Sequence, residues 1–119
     1  MKPYADRFLA TSYEGDEPVS LGLARPDADP IWEVHVPESL SGRAQAISSA
    51  YNLHLLPVID PYSRSQLTVE QCRTLANEIV FVGEVVNDEL LRRHLSAILD
   101  LVERCIRESG GQELVIEGP

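Results

Sequence analysis

Apolar and polar side chains alternate along residues 31–36, which predicts a strand with one buried face. One face of this segment would carry Trp32, Val34 and Val36, and the other would carry Ile31, Glu33 and His35. A period of two is that of a half-buried strand. Pro37 follows at once and ends the pattern.

Two earlier segments predict a hairpin ahead of this strand. Residues 8–13 and 19–24 flank a polar turn over residues 14–18, and polar turns with glycine and proline commonly join paired strands. Residues 25–30 hold two prolines and are predicted to be a connection, because proline removes the ladder donor and restricts the residue before it.

The middle of the chain predicts a short helix and then an extended segment. Residues 41–51 are rich in Ala, Ser and Gln, and the inward face of the helix would carry Ala44, Ile47 and Tyr51. Residues 53–59 are predicted to be extended. The sequence Asp60-Pro61-Tyr62-Ser63 predicts a turn with proline at its second position.

A capping box predicts where the first long helix begins. Thr68 lies three residues before Gln71, so its hydroxyl can accept from the Gln71 amide while the Gln71 side chain accepts from the Thr68 amide. The predicted buried stripe of this helix is Val69, Cys72, Leu75, Ala76, Ile79, Val80 and Gly83.

A second long helix is predicted from a cap at Asn87 or Asp88 to about Ser109, before Gly110 and Gly111. Its predicted buried stripe is Leu91, Leu95, Ile98, Leu99, Val102, Cys105 and Ile106, with Leu90, His94, Ala97 and Leu101 on the shoulder. On its outer face, the (i, i+4) spacing predicts ion pairs of Asp100 with Arg104 and of Glu103 with Arg107.

These elements predict an α+β fold. A small, mainly antiparallel sheet would be packed on one face by the two long C-terminal helices, and residues 114–116 would add a short C-terminal strand. The 119 residues and 44% hydrophobic content fit one globular domain over residues 1–119. Antiparallel helices would offset Cys72 from Cys105 by roughly 7 Å along the axis, which argues against a disulfide.

Charge directs attention from the fold to the surface. Nineteen acidic residues against ten Lys and Arg leave −9 at pH 7, which argues against nucleic acid or an anionic membrane as the main partner. Residues 14–38 contain one basic residue, Arg25, and seven acidic residues, which gives a net charge of −6. The acidic residues are Glu14, Asp16, Glu17, Asp27, Asp29, Glu33 and Glu38. We expect this acidic surface to attract a basic partner, with Tyr13 as an aromatic anchor. Solubility and the turn preference of acids are the alternative explanation.

A second surface feature is the pair Phe81 and Val85. Both fall on the otherwise polar face of the first long helix. An apolar pair in that position is typical of a dimer or partner contact. Alternatively, the final strand or residues 53–59 cover it.

Sequence signatures of catalysis are weak. The chain has no G-x-S-x-G elbow, no phosphate-binding glycine pattern and no calcium-loop spacing, and both cysteines fall within buried stripes. We therefore predict no enzymatic activity, no cofactor and no metal. A small hydrolase built on His35 or His54 with Asp60 is the least favoured alternative.

Location is inferred from what the chain lacks. It has no run of 18 apolar residues and no apolar signal-peptide core after its first residues. Its two cysteines show neither CxxC nor metal-ligand spacing. The sequence favours a reducing cytoplasm.

The sequence Val58-Ile59-Asp60-Pro61-Tyr62, then a polar turn, two helices and the terminal Leu114-Val115-Ile116-Glu117-Gly118, resembles small acidic bacterial proteins. These include immunity proteins, which neutralise a toxin made by the same or neighbouring cells. The resemblance is one of layout and covers roughly the second half of the chain. It implies a non-enzymatic protein that binds a basic toxin domain, and it assigns no contact residue.

Two hypotheses follow. The first is a cytoplasmic immunity protein whose acidic surface binds a basic toxin domain. The second is a homodimeric regulatory or accessory protein that uses Phe81 and Val85 for its contact.

Overall fold

The α+β prediction is confirmed in a computed structural model, which describes residues 18–25, 28–59, 63–108 and 112–118. In chain order its elements are β1 (Pro18–Ala24), β2 (Ile31–Pro37), α1 (Glu38–Ala50), a 3-10 turn (Leu56–Val58), β3 (Arg64–Leu67), α2 (Val69–Val85), α3 (Glu89–Arg107) and β4 (Glu113–Glu117). The strands form one antiparallel sheet with the order β2-β1-β4-β3. The helices pack on this sheet, with the core between the two layers.

The C-terminal strand lies inside the sheet. β4 pairs with β1 on one side and with β3 on the other. Leu114 and Val115 are neighbours in the strand and so point to opposite faces of the sheet, and both are fully buried. The apolar sequence of residues 114–116 predicted the strand, and burial on both faces explains why that sequence is uninterrupted.

β2 alternates in burial as its sequence predicts. Trp32 and Val34 are half-buried and Val36 is buried, whereas the intervening side chains are exposed. The register with β1 shifts at Gly22, which leaves Glu33 as the extra residue of a bulge. A Cβ at Gly22 would overlap the carbonyl group of Ile31, so the two strands can approach here only at glycine.

The helix predicted over residues 41–51 is α1, which begins earlier than predicted, at Glu38. Ala44 is buried and Ile47 packs against the core, as predicted. The inward placement of Tyr51 is wrong, because that side chain is 54% exposed. The next inward position is Ser48, whose hydroxyl donates to the Ala44 carbonyl at 2.7 Å and can therefore be buried.

The segment between α1 and α2 differs from the prediction. Residues 53–59 are not extended: they bend and form the 3-10 turn. Their amide groups at Leu55 and Leu56 bond to the Glu78 carboxylate and not to a neighbouring strand. β3 follows and was not predicted from the sequence.

α2 begins at the predicted capping box, with both Thr68–Gln71 hydrogen bonds present. Its buried face is narrower than predicted: Val80 is 45% exposed, whereas Val82 is fully buried. The buried apolar positions are Cys72, Leu75, Ile79, Val82 and Val86. This spacing of three and four residues is that of a helix packed along another helix, and α3 is the main neighbour of α2.

Asp88 is the N-cap of α3, and its side chain accepts from the Leu90 and Leu91 amides. The predicted cap is therefore confirmed. The helix ends at Arg107, slightly before the predicted end. The two ion pairs predicted on its outer face are absent from the described residues: Arg104 bonds to Glu33 on β2, and Glu103 forms no ion pair with Arg107.

Several predictions lie outside the described residues. These are the strand over residues 8–13, the turn residues 14–17, the Asp60-Pro61-Tyr62 turn and the Gly110-Gly111 helix end.

Candidate functional site

The predicted acidic surface is only partly within the described residues. Asp29 is exposed, and Glu38 lies in the first turn of α1, where the helix dipole favours a negative charge. Glu33 is paired with Arg104, so its charge is compensated. The remaining residues predicted for this surface lie outside the described part: Tyr13, Glu14, Asp16, Glu17 and Asp27.

The histidines considered for acid/base chemistry have other surroundings. The Nδ1 atom of His35 lies 2.9 Å from the Ser20 hydroxyl, whereas Glu33, its neighbour in sequence, bonds to Arg104. His54 is exposed, and Asp60, its proposed partner, lies outside the described residues. Among the residues that the structure describes, no group of three or more His, Cys, Asp or Glu side chains is placed to hold a metal ion.

Two aromatic rings meet where α1 ends. The rings of Tyr51 and Phe81 lie edge to face, with their centroids 5.1 Å apart and their planes at 73°. Such an arrangement is favourable for aromatic pairs. The pair joins the C-terminal end of α1 to the C-terminal part of α2.

The local sequence explains why Tyr51 lies there. Asn52 adopts a left-handed conformation with φ of 57°, which asparagine tolerates better than most residues. The Leu53 amide donates to Ser48 O and the Asn52 amide to Ser49 O, each at 3.0 Å. These two bonds form a Schellman ending, which fixes the backbone at Tyr51.

We define the aromatic patch as Tyr51, Phe81 and Val85. Tyr51 is 54% exposed, Val85 is 37% exposed, and Phe81 is half-buried. Tyr51 supplies the ring contact on Phe81. The alternative that the final strand or residues 53–59 cover Phe81 and Val85 stays a prediction. Glu84 is exposed and lies three residues after Phe81, so it neighbours the patch on the surface of α2.

A mainly apolar cleft of about 60 Å³ lies between the sheet and the helices. Its walls include Leu40 of α1, Leu56 of the 3-10 turn and Ile98 of α3, and its polar side chains are Ser41, Gln45 and His94. Burial lowers the pKa of His94 below its ordinary value of 6.5, so the imidazole is neutral at pH 7.

Two side chains hold the chain at the edge of this cleft. The buried carboxylate of Glu78 accepts from the Leu55 amide at 2.9 Å and from the Leu56 amide at 2.9 Å. Gln45 Nε2 donates to the carbonyls of Leu56, at 3.2 Å, and of Ile59. Sequence reasoning missed Glu78; its signal is an acid next to the core position Ile79.

Asp88 ties α1 to the start of α3. Besides capping α3, its carboxylate forms an ion pair with Arg43 of α1. Asp88 is almost fully buried, and Arg43 is partly exposed. Like Glu78, Asp88 therefore has its charge compensated by hydrogen bonds within the fold.

No family model, curated protein or solved structure matches the chain. Within the described ranges, none of the helices is both long enough and apolar enough to cross a membrane.

Proposed function

We propose that this protein is a non-enzymatic binding module that takes a basic protein partner, and that its specific role is that of a cytoplasmic immunity protein against a toxin domain. The observation that carries the proposal is the aromatic patch, in which Tyr51 and Val85 are exposed and Phe81 is half-buried, on a chain with a net charge of −9.

The patch has the properties of a binding anchor. Tyrosine and other large side chains dominate the binding energy of protein interfaces. Tyr51 is held by the Schellman ending of α1 and by its contact with Phe81. Little conformational entropy is therefore lost when a partner covers it.

Charge decides what kind of partner fits. Glu84 lies beside the patch on α2, and the stretch over residues 14–38 has a net charge of −6. A basic surface is attracted by such a field, whereas a second copy of this chain is repelled. A basic toxin domain has the required sign, and the resemblance to small acidic immunity proteins supports that choice.

The test uses the product of the adjacent gene as the partner. We expect the purified pair to bind, the affinity to fall with added salt, and co-expression to rescue growth if the adjacent product is toxic. Tyr51→Ser and Phe81→Ser should each weaken binding at least tenfold. Ile31→Ser is the matched control, because Ile31 is 73% exposed on β2 and outside the patch.

Two results would overturn the proposal. One is an equal loss of affinity in the Ile31→Ser control, or no loss in either patch variant. The other is a concentration-dependent dimer in sedimentation that Phe81→Ser or Val85→Ser abolishes. That second result would establish the homodimeric regulator instead.

A further inference from the structure

We propose that Cys72 and Cys105 are a latent disulfide. The pair forms a covalent bond when the chain folds in the presence of an oxidising low-molecular-weight disulfide, and the folded protein then shields whichever redox state it acquired. This property is independent of any partner.

The geometry brings the two thiols into contact. Their Sγ atoms lie 3.9 Å apart, and both side chains are fully buried. Both cysteines are free, in agreement with the expectation that argued against a disulfide, and their sulfurs nevertheless meet across the helix pair. The packing of α2 against α3 places the two cysteines opposite each other. A disulfide needs a sulfur separation of about 2 Å, so the two sulfurs would have to approach by about another 2 Å for the bond to form.

The position of the pair gives the bond its effect. Cys72 lies in the first turn of α2 and Cys105 in the last turn of α3. The loop over residues 86–88 joins the opposite ends of the two helices. A disulfide would therefore close the open end of the hairpin and restrict a loop of more than thirty residues in the unfolded chain.

Burial slows the reaction in the folded protein. The thiolate is the reactive form, and burial raises the pKa of Cys72 to about 12 and also raises that of Cys105. Both sulfurs are also inaccessible to a dissolved oxidant. In the unfolded chain both groups are exposed with ordinary pKa values, so oxidation proceeds before or during folding.

The chemistry balances with oxidised glutathione as the oxidant. The Cys72 thiolate attacks one glutathione sulfur and forms a mixed disulfide, which releases the first glutathione thiolate. The Cys105 thiolate then attacks the Cys72 sulfur and displaces the second. Two electrons pass to glutathione, and the two thiol protons are taken up by the two glutathione thiolates released.

The experiment refolds the full chain from denaturant in two buffers, one with reduced glutathione alone and one with a reduced and oxidised mixture. Samples are quenched with acid, alkylated in denaturant and weighed by mass spectrometry. We expect two alkyl groups after reduced refolding and none after oxidised refolding. The oxidised form should unfold on the order of 10 °C higher.

A second arm tests the shielding. Reduced protein that is already folded is incubated in the same mixed buffer for the same time, and it should still take two alkyl groups once denatured. Rapid oxidation of this folded sample would overturn the shielding. Refolding that leaves two thiols, or that gives only glutathione adducts, would overturn the latent disulfide itself.

Cys72→Ala and Cys105→Ala are the controls. Each variant should have the same unfolding temperature after both refolding protocols. The comparison is made within one variant, so it remains valid if the substitution lowers stability. An oxidant-dependent rise in either variant would contradict the assignment to this pair.

Discussion

At the scale of single residues, a buried carboxylate on α2 fixes a segment that has no strand partner. Glu78 is only 6% exposed and accepts from the amides of Leu55 and Leu56. We predict that Glu78→Ala lowers the free energy of unfolding by about 2–4 kcal/mol, because it leaves these amides without their charged acceptor.

Urea denaturation measures this loss, and two variants calibrate it. Glu78→Gln keeps one acceptor oxygen and should lose less than Glu78→Ala. Glu84→Ala, at an exposed position of the same helix, should change stability by about 0.5 kcal/mol or less. Equal effects of Glu78→Ala and Glu84→Ala would contradict the assigned role.

Whether the role of a residue can be predicted from the sequence depends on how far along the chain its hydrogen-bond partners lie. Thr68 and Asp88 cap helices through amides two or three residues away. The sequence predicts the Thr68 cap and narrows the other cap to Asn87 or Asp88. Glu78 bonds to amides 22 and 23 residues away. No local pattern predicts that contact, because it depends on how α1 and α2 pack.

At the scale of elements, the sequence predicts the two long helices better than it predicts the short strand β3. α2 and α3 carry caps and long apolar stripes, whereas β3 has four residues and one buried apolar side chain, Leu67. β3 is stabilised by pairing with β4, which lies far along the chain. The error at Val80 is one of rotation about the helix axis. The buried face of α2 includes Glu78 and Val82 and leaves Val80 exposed, because tertiary packing and not helix periodicity alone decides which face is buried.

The junction of α1 with α3 gives a prediction at this scale. Asp88→Ala should lower the free energy of unfolding by about 2–4 kcal/mol, because it removes both the cap of α3 and the ion pair with Arg43. Asp88→Asn keeps a capping oxygen, so it should recover part of this loss. Thermal or urea unfolding of the two variants, compared with the parent protein, separates the contribution of the cap from that of the ion pair.

The neighbouring residue is a matched control. Asn87 is exposed and equally suited to capping by its sequence, yet Asp88 caps the helix. Asn87→Ala should therefore leave stability nearly unchanged. A larger loss in Asn87→Ala than in Asp88→Ala would mean that the helix begins one residue earlier in solution.

At the scale of the whole molecule, the folded chain redistributes charge in a way that segment counts do not capture. Glu33 belongs to the acidic stretch by sequence, yet the bulge in β2 and the packing of α3 pair it with Arg104. The net charge is fixed by composition. Which acids remain available to a partner is decided by the fold.

Acid stability tests the whole folding equilibrium through His94, which lines the cleft. Burial lowers the pKa of His94 in the folded state, whereas in the unfolded chain it stays near 6.5. Below that pH the unfolded state takes up a proton that the folded state resists, so the free energy of unfolding falls as pH falls. The loss is complete once the pH is below the folded-state pKa.

We therefore predict that His94→Gln reduces the pH dependence of unfolding between pH 7.5 and about pH 5, measured by urea denaturation at closely spaced pH values. The carboxylates affect the pH dependence of unfolding equally in the parent protein and in His94→Gln. The difference between the two stability curves therefore isolates the contribution of His94. His54→Gln is the matched control, because His54 is exposed and should retain the parental slope. If His94→Gln keeps that slope as well, the imidazole is not held neutral by the fold.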